Sequence, residues 1–316
     1  MFTALLALPF FGAHAAYPEK PVRFVVGLAP GGASDFVGRI LVQKLSEALN
    51  QQVIIDNRTG AAGNIGMEVA AKAAPDGYTL YLGNIGTLAI NPAIYPNLSV
   101  QPLKDFAPIT LIANVPSALV ANSEWGPRQL ADAVTKLRAS PDKFNFATPG
   151  SGSLNRLEME IFMKSTGTRM THVPYKGGGG PAAMGLIGGE TQLMFNTMPS
   201  VKGFVEGGRM QALAVTSAKR MPQWPEVPTM AELGYPDLVT GSWQGVLAPA
   251  KTPKDIINKL YQALIKVLEM PDVRERLAGG GVFPAQSSSP EEFAQYLATE
   301  SQKWGNVARD ARATAD

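Results

Sequence analysis

Residues 29–39, APGGASDFVGR, form a glycine-rich turn between an apolar run and an amphipathic segment. The backbone N–H groups of Gly31 and Gly32 can converge where a helix begins, and the helix dipole favours negative charge at that point. Ser34 or Asp35 could cap the helix. These residues fit the binding of a small anion such as a carboxylate, and they fit a simple tight turn equally well.

The turn matches neither of the common nucleotide-binding motifs. A P-loop ends in a lysine followed by serine or threonine, whereas Ala33, Ser34 and Asp35 follow the two glycines here. A dinucleotide-binding turn needs the spacing G-x-G-x-x-G, which the glycines between residues 27 and 38 do not provide. The sequence therefore disfavours triphosphates and dinucleotides as ligands and favours a smaller anion.

Similar residues follow several other predicted strands. Gly83-Asn84, Thr148–Ser153 and Asn196-Thr197 each place glycine or small polar side chains where a strand ends. The carboxyl ends of strands line the ligand crevice in doubly wound sheets. This recurrence favours anion binding over a simple tight turn as the interpretation of the first turn.

Residues suited to catalysis or metal binding are scarce. The chain has no cysteine, which excludes disulfides, thiol catalysis and cysteine-ligated metals. One of its two histidines, His14, lies in the apolar N-terminal segment, and His172 lies on a strand-like run where a structural role is more common. No nucleophile elbow and no histidine-based metal motif is present. We therefore expect no enzymatic activity, no cofactor and no metal.

Composition also limits the partners. Of the 316 residues, 45% are hydrophobic and 17% charged, so the chain can form a large core. The net charge of +2 is too small to predict nucleic acid or an anionic membrane surface as a partner.

Residues 1–16 have the features of a signal peptide. Their apolar stretch is too short to span a bilayer, and it ends in an A-x-A cleavage pattern at residues 13–15. We expect cleavage near Ala15 or Ala16, and we regard the signal peptide as partial because no basic n-region precedes its apolar core. The mature protein is then exported, and no later segment is apolar enough to predict a membrane helix.

The elements that must position these residues alternate between strand and helix. Apolar runs predict strands at 22–28, 52–58, 78–84, 109–115, 117–122, 143–148, 170–174, 192–195, 210–217 and 242–250. Amphipathic segments predict helices at 35–50, 65–74, 129–138, 153–166, 253–270, 271–278 and 290–312. This alternation predicts an α/β protein with largely parallel sheets, and a proline-rich crossing near 220–242 predicts two lobes.

Several short motifs occur in a fixed order: RFVVGLAPGGASDFVGR, VIIDNRTGAAGNIGMEVAAKAAPDGYTLYLGN, DFAPITLIA, THVPYKGGGG, LAVTSAKR, PEVPTMAELGYP and WQGVLAPAKTP. In this order and number they resemble the substrate-binding proteins of the tripartite tricarboxylate transporter family, also called Bordetella uptake proteins. The resemblance covers essentially the whole chain after the signal peptide.

The resemblance implies a two-lobed, type II-like periplasmic binding protein with a ligand cleft between its lobes. Lobe 1 would comprise residues 17–118 and 243–316, and lobe 2 residues 119–242. The implied function is that of a non-enzymatic, monomeric receptor in the periplasm. Such a receptor holds a small organic carboxylate through backbone amides and ordered waters, and delivers it to the permease subunits of a membrane transporter.

The ligand-binding positions of the family can be transferred motif by motif. In the first lobe they are Pro30, Gly31, Gly32 and Ser34, which would meet the first carboxylate, and Asp35, which matches an aspartate of the family's first turn. In the second lobe they are Thr148, Ser151, Ser153, Asn155 and Asn196. We add Asn84 from its position at the end of a predicted strand.

Arg156 departs from the family pattern, which has a histidine at this position of the segment that reads SLNRL here. An arginine could bind a distal carboxylate of the ligand bidentately, or it could be a solvated surface residue. Trp243 could stack on an apolar or aromatic ligand, which makes an aromatic dicarboxylate such as terephthalate one choice among several.

Two further functions stay open on the sequence alone. The first is a sensor subunit that binds the same ligand and signals to a membrane kinase. The second is an exported hydrolase or isomerase of small carboxylates, which the scarcity of catalytic residues disfavours.

Overall fold

The computed structural model describes residues 17–311 and 313–314, so the expected signal peptide lies outside the described residues. The strands are β1 (Val22–Val26), β2 (Val53–Asn57), β3 (Thr79–Asn84), β4 (Phe106–Val115), β5 (Ser117–Asn122), β6 (Asn145–Thr148), β7 (Thr171–Pro174), β8 (Leu193–Thr197), β9 (Met210–Val215), β10 (Ser242–Pro249) and β11 (Phe283–Pro284).

The α-helices lie between and after these strands. They are α1 (Ala33–Leu49), α2 (Asn64–Ala71), α3 (Asn91–Ile94), α4 (Pro102–Asp105), α5 (Leu130–Ala139), α6 (Leu154–Thr166), α7 (Gly179–Ile187), α8 (Met198–Glu206), α9 (Lys254–Glu269), α10 (Pro271–Gly279) and α11 (Pro290–Asp310).

The strands form two sheets, and each sheet is the centre of one lobe. The six-stranded sheet of lobe 1 has the order β11-β4-β10-β3-β1-β2, and the five-stranded sheet of lobe 2 has the order β7-β6-β8-β5-β9. Helix α1 buries Val37, Leu41 and Leu45 in the core of lobe 1, where it packs against α9. Each lobe therefore has a helix-covered hydrophobic core of its own, as the sequence predicts.

Both sheets are mixed, which corrects the expectation of largely parallel sheets. Strand β1 is parallel to β2 and β3, and β6 is parallel to β7 and β8. All pairings of β4, β5 and β10 are antiparallel. These three strands carry the chain between the lobes, and they lack the helical crossover that joins parallel neighbours.

The chain crosses between the lobes twice. Strand β4 of lobe 1 ends at Val115, and β5 of lobe 2 begins at Ser117, so only Pro116 separates them. The chain is back in the first sheet at Ser242, where β10 begins. The expected lobe boundaries at residues 118 and 242 stay a prediction.

Two helices of lobe 2 were not predicted from the sequence. Helix α7 begins inside the glycine run of residues 177–180, whose low helix propensity conceals it, yet it buries Ala182, Ala183 and Leu186. Helix α8 follows β8 without a loop and has Pro199 in its first turn. The segment Gly86–Ile90 forms a π-helical turn, for which the sequence made no prediction.

Candidate functional site

A pocket lies between the two lobes, at the ends of strands and the first turns of helices. It encloses about 60 Å³ of free space. Its lining consists of Leu28, Gly32, Ala33, Ser34, Ala62, Asn84, Ile85, Gly86, Pro149, Gly152, Ser153, Leu154, Asn155, Gly179, Asn196, Thr197, Ser200, Ser242 and Gln244. Six of the sequence-predicted site residues belong to this lining: Gly32, Ser34, Asn84, Ser153, Asn155 and Asn196.

The first turn has the backbone that an amide cradle requires. Gly31 has a φ of +87°, which favours glycine, whereas Gly32 is extended with a φ of −93°. Asp35 fixes the turn, because its carboxylate accepts the Gly31 N–H at 3.2 Å and pairs with Arg39 at 2.9 Å. Asp35 therefore holds the turn in shape rather than facing the pocket.

Asn84 connects the end of β3 to the first turn. Its Oδ1 accepts the backbone N–H of Thr87 at 3.1 Å, and its Nδ2 lies 3.4 Å from the Ser34 hydroxyl. Asn84 and Ser34 consequently form one polar wall of the pocket on the lobe 1 side.

The start of α6 forms the opposite wall. Ser153 caps the helix by accepting the N–H of Arg156 at 3.3 Å. Asn155 donates through Nδ2 to Ser117 at 2.9 Å and to Glu158 at 2.8 Å. Glu158 is fully buried, and burial raises the pKa of its carboxyl group above the usual value.

The third wall comes from α7 and α8. Asn196, at the end of β8, donates to the Gly179 carbonyl at 2.9 Å and accepts the Thr197 N–H at 2.9 Å. A Cβ at Gly179 would approach Asn196 Oδ1 to 2.7 Å, so glycine is needed there. The Thr197 and Ser200 hydroxyls lie 3.0 Å apart at the start of α8.

The lining is electrically neutral and non-aromatic. Among residues 17–311 and 313–314, it contains no Asp, Glu, Lys, Arg or His and no aromatic side chain. Positive potential comes instead from the N-termini of α1, α6, α7 and α8, which all meet at the pocket. Helices α1 and α7 have no side-chain cap, so their first N–H groups are free to bind an anion. Helix α8 also has no side-chain cap, but its Met198 N–H donates to the Pro116 carbonyl at 3.1 Å.

Five predicted site residues lie near the pocket but outside its lining. Pro30 and Gly31 are exposed and do not belong to the lining. Asp35 faces Arg39, as described above. Thr148 is fully buried with its hydroxyl 2.6 Å from His172 Nε2, and Ser151 is also fully buried. These residues shape the turns that carry the lining.

Trp243 and Arg156 lie elsewhere, which corrects their expected position in the cleft. Trp243 is buried in the core of lobe 1, where its Nε1 donates to Glu300 at 2.7 Å and its ring packs edge-on against Phe293. Arg156 donates to the Thr314 carbonyl at 3.1 Å and lies 3.7 Å from Glu160. The structure therefore brings neither side chain to the ligand pocket.

Sequence reasoning missed several lining residues, chiefly Ser200, Ser242 and Gln244, and it named Thr197 only as the end of a strand. Ser200 was missed because α8 was not predicted. The alternation of Ser242 and Gln244 around Trp243 was a usable signal, because neighbouring strand residues point to opposite faces.

The two lobes are in contact across the pocket. The backbone N–H of Ala29 in lobe 1 donates to the Gly177 carbonyl of lobe 2 at 2.8 Å. A larger groove of about 590 Å³ lies within lobe 2 alone, so it is not part of this cleft. No group of three or more His, Asp or Glu side chains that could hold a metal occurs in the described part of the chain, and none of its helices is long and apolar enough to cross a membrane.

Two α/β lobes that enclose a neutral, amide-rich pocket define a two-lobed solute-binding protein. Within that class, the chain belongs to the TctC family, the tripartite tricarboxylate transporter family receptors, whose model matches residues 37–312. The resemblance inferred from the order of the motifs is thereby confirmed. BugT of Bordetella pertussis is 36% identical to this chain over 298 residues, which cover 94% of this chain and 91% of BugT.

Solved structures confirm the fold. The periplasmic binding protein BugD has a TM-score of 0.90 at 31% identity, with 95% of this chain and 100% of BugD covered. MatC of Rhodopseudomonas palustris, solved with malate, has a TM-score of 0.86 at 32% identity over 92% of this chain and 99% of MatC. Rpa4515 of R. palustris, solved with adipate, has a TM-score of 0.91 at 33% identity. The match covers 95% of this chain and 99% of Rpa4515.

Proposed function

We propose that this protein is a periplasmic receptor that captures a small organic carboxylate between its two lobes and delivers it to a membrane permease. The observation that carries the proposal is the neutral pocket at which the N-termini of α1, α6, α7 and α8 meet. Such a pocket offers an anion several N–H donors and the positive ends of helix dipoles. Among the described residues, its lining contains no Lys, Arg or His side chain.

The pocket favours a compact aliphatic acid over terephthalate. Its free volume is small, about 60 Å³. The described lining also offers no ring on which an aromatic acid could stack, because Trp243 lies in the core. The malate of MatC and the adipate of Rpa4515 support an aliphatic acid as the ligand here.

The receptor binds its ligand without converting it. The described lining supplies neutral donors but no nucleophile–base pair. His172 lies outside the lining, and burial, together with the positive charge of Arg156, lowers its pKa to about 4. We therefore assign its imidazole a structural role beside Thr148.

Binding is tested by thermal unfolding of the purified protein with propionate, lactate, succinate, malate, adipate, citrate and terephthalate. An acid at 100 times its dissociation constant should stabilise the protein by about 2.7 kcal/mol. We expect at least one aliphatic acid to bind with 1:1 stoichiometry in calorimetry and to be recovered unchanged. Failure of every acid to bind, or conversion that survives repurification, would contradict the proposal.

Delivery to a permease is tested in cells that carry the gene. Deleting the gene should abolish uptake of the radiolabelled acid identified in the thermal screen, and a plasmid copy should restore it. Normal uptake in the deletion strain, with lost induction of acid-dependent genes, would instead indicate a sensor subunit.

A further inference from the structure

Gln244 is a buried amide at the pocket without a hydrogen-bond partner. It lies on β10, lines the pocket and is 1% exposed. Its Oε1 is completely buried, and its amide makes no hydrogen bond to any residue among 17–311 and 313–314. Antiparallel pairing places it directly opposite Asn84 of β3, so the two amides lie side by side.

The other amides of the lining are already engaged. Asn84 accepts from Thr87, and Asn155 donates to Ser117 and Glu158. Asn196 both donates to Gly179 and accepts from Thr197. These three amides are held in place by the protein, whereas Gln244 has a free donor and a free acceptor.

A bound ligand can satisfy both ends of the Gln244 amide. Buried polar groups are nearly always hydrogen-bonded, so a partner from the ligand is the expected complement. A carboxylate can accept from Nε2, but it has no hydrogen to donate to Oε1. The acid must therefore carry a further group that donates a hydrogen bond.

The donor group is a hydroxyl rather than an ammonium. An ammonium group in the pocket would be a buried positive charge, which needs an anionic partner. The described lining contains no carboxylate, and Asp35 is engaged with Arg39 outside it. A hydroxyl group donates a hydrogen bond without carrying that charge.

We propose that Gln244 determines specificity by accepting a hydrogen bond from a hydroxyl group of the ligand, so that the receptor selects short aliphatic hydroxycarboxylates. This inference rests on the proposed function, because it concerns which acid the same pocket selects. The proposal gives a role in ligand selection to Gln244, whose side-chain oxygen otherwise has no hydrogen-bond partner.

The test compares acids that differ by one hydroxyl group, using calorimetry on the wild-type protein. The pairs are lactate and propionate, malate and succinate, and citrate and tricarballylate, with aspartate as the amino counterpart of malate. In each pair that binds, the hydroxy acid should bind roughly tenfold tighter or more, because the other acid leaves the Gln244 oxygen unpaired. Aspartate should bind more weakly than malate.

A variant and a matched control locate the preference. Gln244→Met keeps the length of the side chain but removes its donor and acceptor, so it should bring the two members of a pair to within about twofold. Gln211→Met makes the same change on β9 of lobe 2, outside the pocket lining, and should keep the wild-type preference.

The outcomes separate the inference from the function on which it rests. Equal binding of hydroxy and deoxy acids, tighter binding of aspartate, or an unchanged preference in folded Gln244→Met would overturn the inference and leave the receptor function standing. If no acid of any pair binds but another acid of the thermal screen does, the inference alone fails, and if no acid binds at all, both fail. If Gln244→Met does not fold, the wild-type pairs alone decide.

Discussion

Gly32 lies where the first turn faces lobe 2. A Cβ at this position would lie 3.8 Å from the Gly179 nitrogen across the cleft, which is an ordinary contact, and the backbone there is extended. The fold can therefore accept a side chain that the ligand cannot. We expect Gly32→Val to weaken binding of the acid roughly tenfold, or about 1.4 kcal/mol, at an unchanged melting temperature.

Calorimetry on a matched pair checks this expectation. Gly203→Val makes the same change on α8, where a Cβ would meet no atom within 4 Å, and should bind like the wild type. Wild-type affinity in folded Gly32→Val would return the first turn to a purely structural role.

His172 makes the protein sensitive to acid. Burial, together with the positive charge of Arg156, lowers its pKa from 6.5 to about 4 in the folded state. Between these two pH values the unfolded chain binds a proton that the folded chain does not, so the free energy of unfolding falls as the pH falls.

His172→Gln removes this titration and places an amide, which can still hydrogen-bond, beside Thr148. We expect the variant to lose less stability than the wild type between pH 6.5 and 4, by on the order of 1–2 kcal/mol, discounted because the ring is partly solvated. Urea unfolding at the two pH values measures it, and identical losses in both proteins would show that another group carries the acid sensitivity.

Arg156 shows what sequence cannot decide about a single side chain. Its place in the first turn of a helix that starts at Ser153 was predicted correctly. Its partners, however, are Glu160 of the same helix and the Thr314 carbonyl at the far end of the chain. Only the folded C-terminus fixes that direction. Trp243 was misplaced for a related reason, because a strand pattern does not say which face meets the core.

We therefore expect Arg156→Ala to leave the affinity for every carboxylate within about twofold of the wild type and to lower stability slightly. The stability loss should be roughly 1 kcal/mol, since the arginine is half-buried and makes one ion pair and one hydrogen bond. A selective loss of dicarboxylate binding would revive the distal-carboxylate role inferred from the sequence.

Helix α6 joins the pocket to both chain crossings through Glu158. The Glu158 carboxyl accepts hydrogen bonds from Asn155 of the lining and from Thr240, next to the returning crossing, and it interacts with Ser117 at the outgoing one. In the described part of the chain it takes part in no ion pair. Burial raises its pKa above 4.5, so the folded state retains a proton that the unfolded chain releases.

Stability consequently falls as the pH rises through the interval above 4.5. Glu158→Gln imitates the protonated group and does not titrate, and the Thr240 hydroxyl can turn to accept from it. We expect the variant to gain stability relative to the wild type between pH 4.5 and pH 8, by roughly 1–2 kcal/mol. Guanidinium unfolding across that range tests this, and a constant difference would mean that folding does not shift the pKa of this carboxyl group.

The elements themselves were largely predictable, with two physical exceptions. Apolar runs located β1 and β5 to within two residues, because buried strands have a direct sequence signal. Strand direction was misjudged for β4 and β10, since direction depends on how the chain passes between lobes rather than on local pattern. Helix α7 was missed because glycine has a low helix propensity. Gly179 is nevertheless at the start of this helix, where the absence of a side chain lets Asn196 and Ser200 approach its backbone closely.

At the scale of the whole molecule, the family and the two-lobed fold were predictable because the order of many short motifs is specific. The hydrogen bond between Ala29 and Gly177, which holds the lobes together, was not predictable. It joins residues far apart in the sequence through backbone atoms, and a backbone contact of this kind does not require particular side chains. Receptors of this architecture close about a hinge when the ligand binds. We therefore expect the ligand-free protein in solution to open by breaking this contact.

The most direct test of a carboxylate pocket between closing lobes is the distance between the lobes. Because the chain has no cysteine, Ile65→Cys on lobe 1 and Met184→Cys on lobe 2, both exposed, can carry a specific donor and acceptor pair for energy transfer. We predict that the acid found in the thermal screen shortens this distance, and that Gly32→Val raises the acid concentration needed for half of the change roughly tenfold. An unchanged distance in the presence of bound acid, or the same half-maximal concentration in folded Gly32→Val, would contradict binding in this pocket.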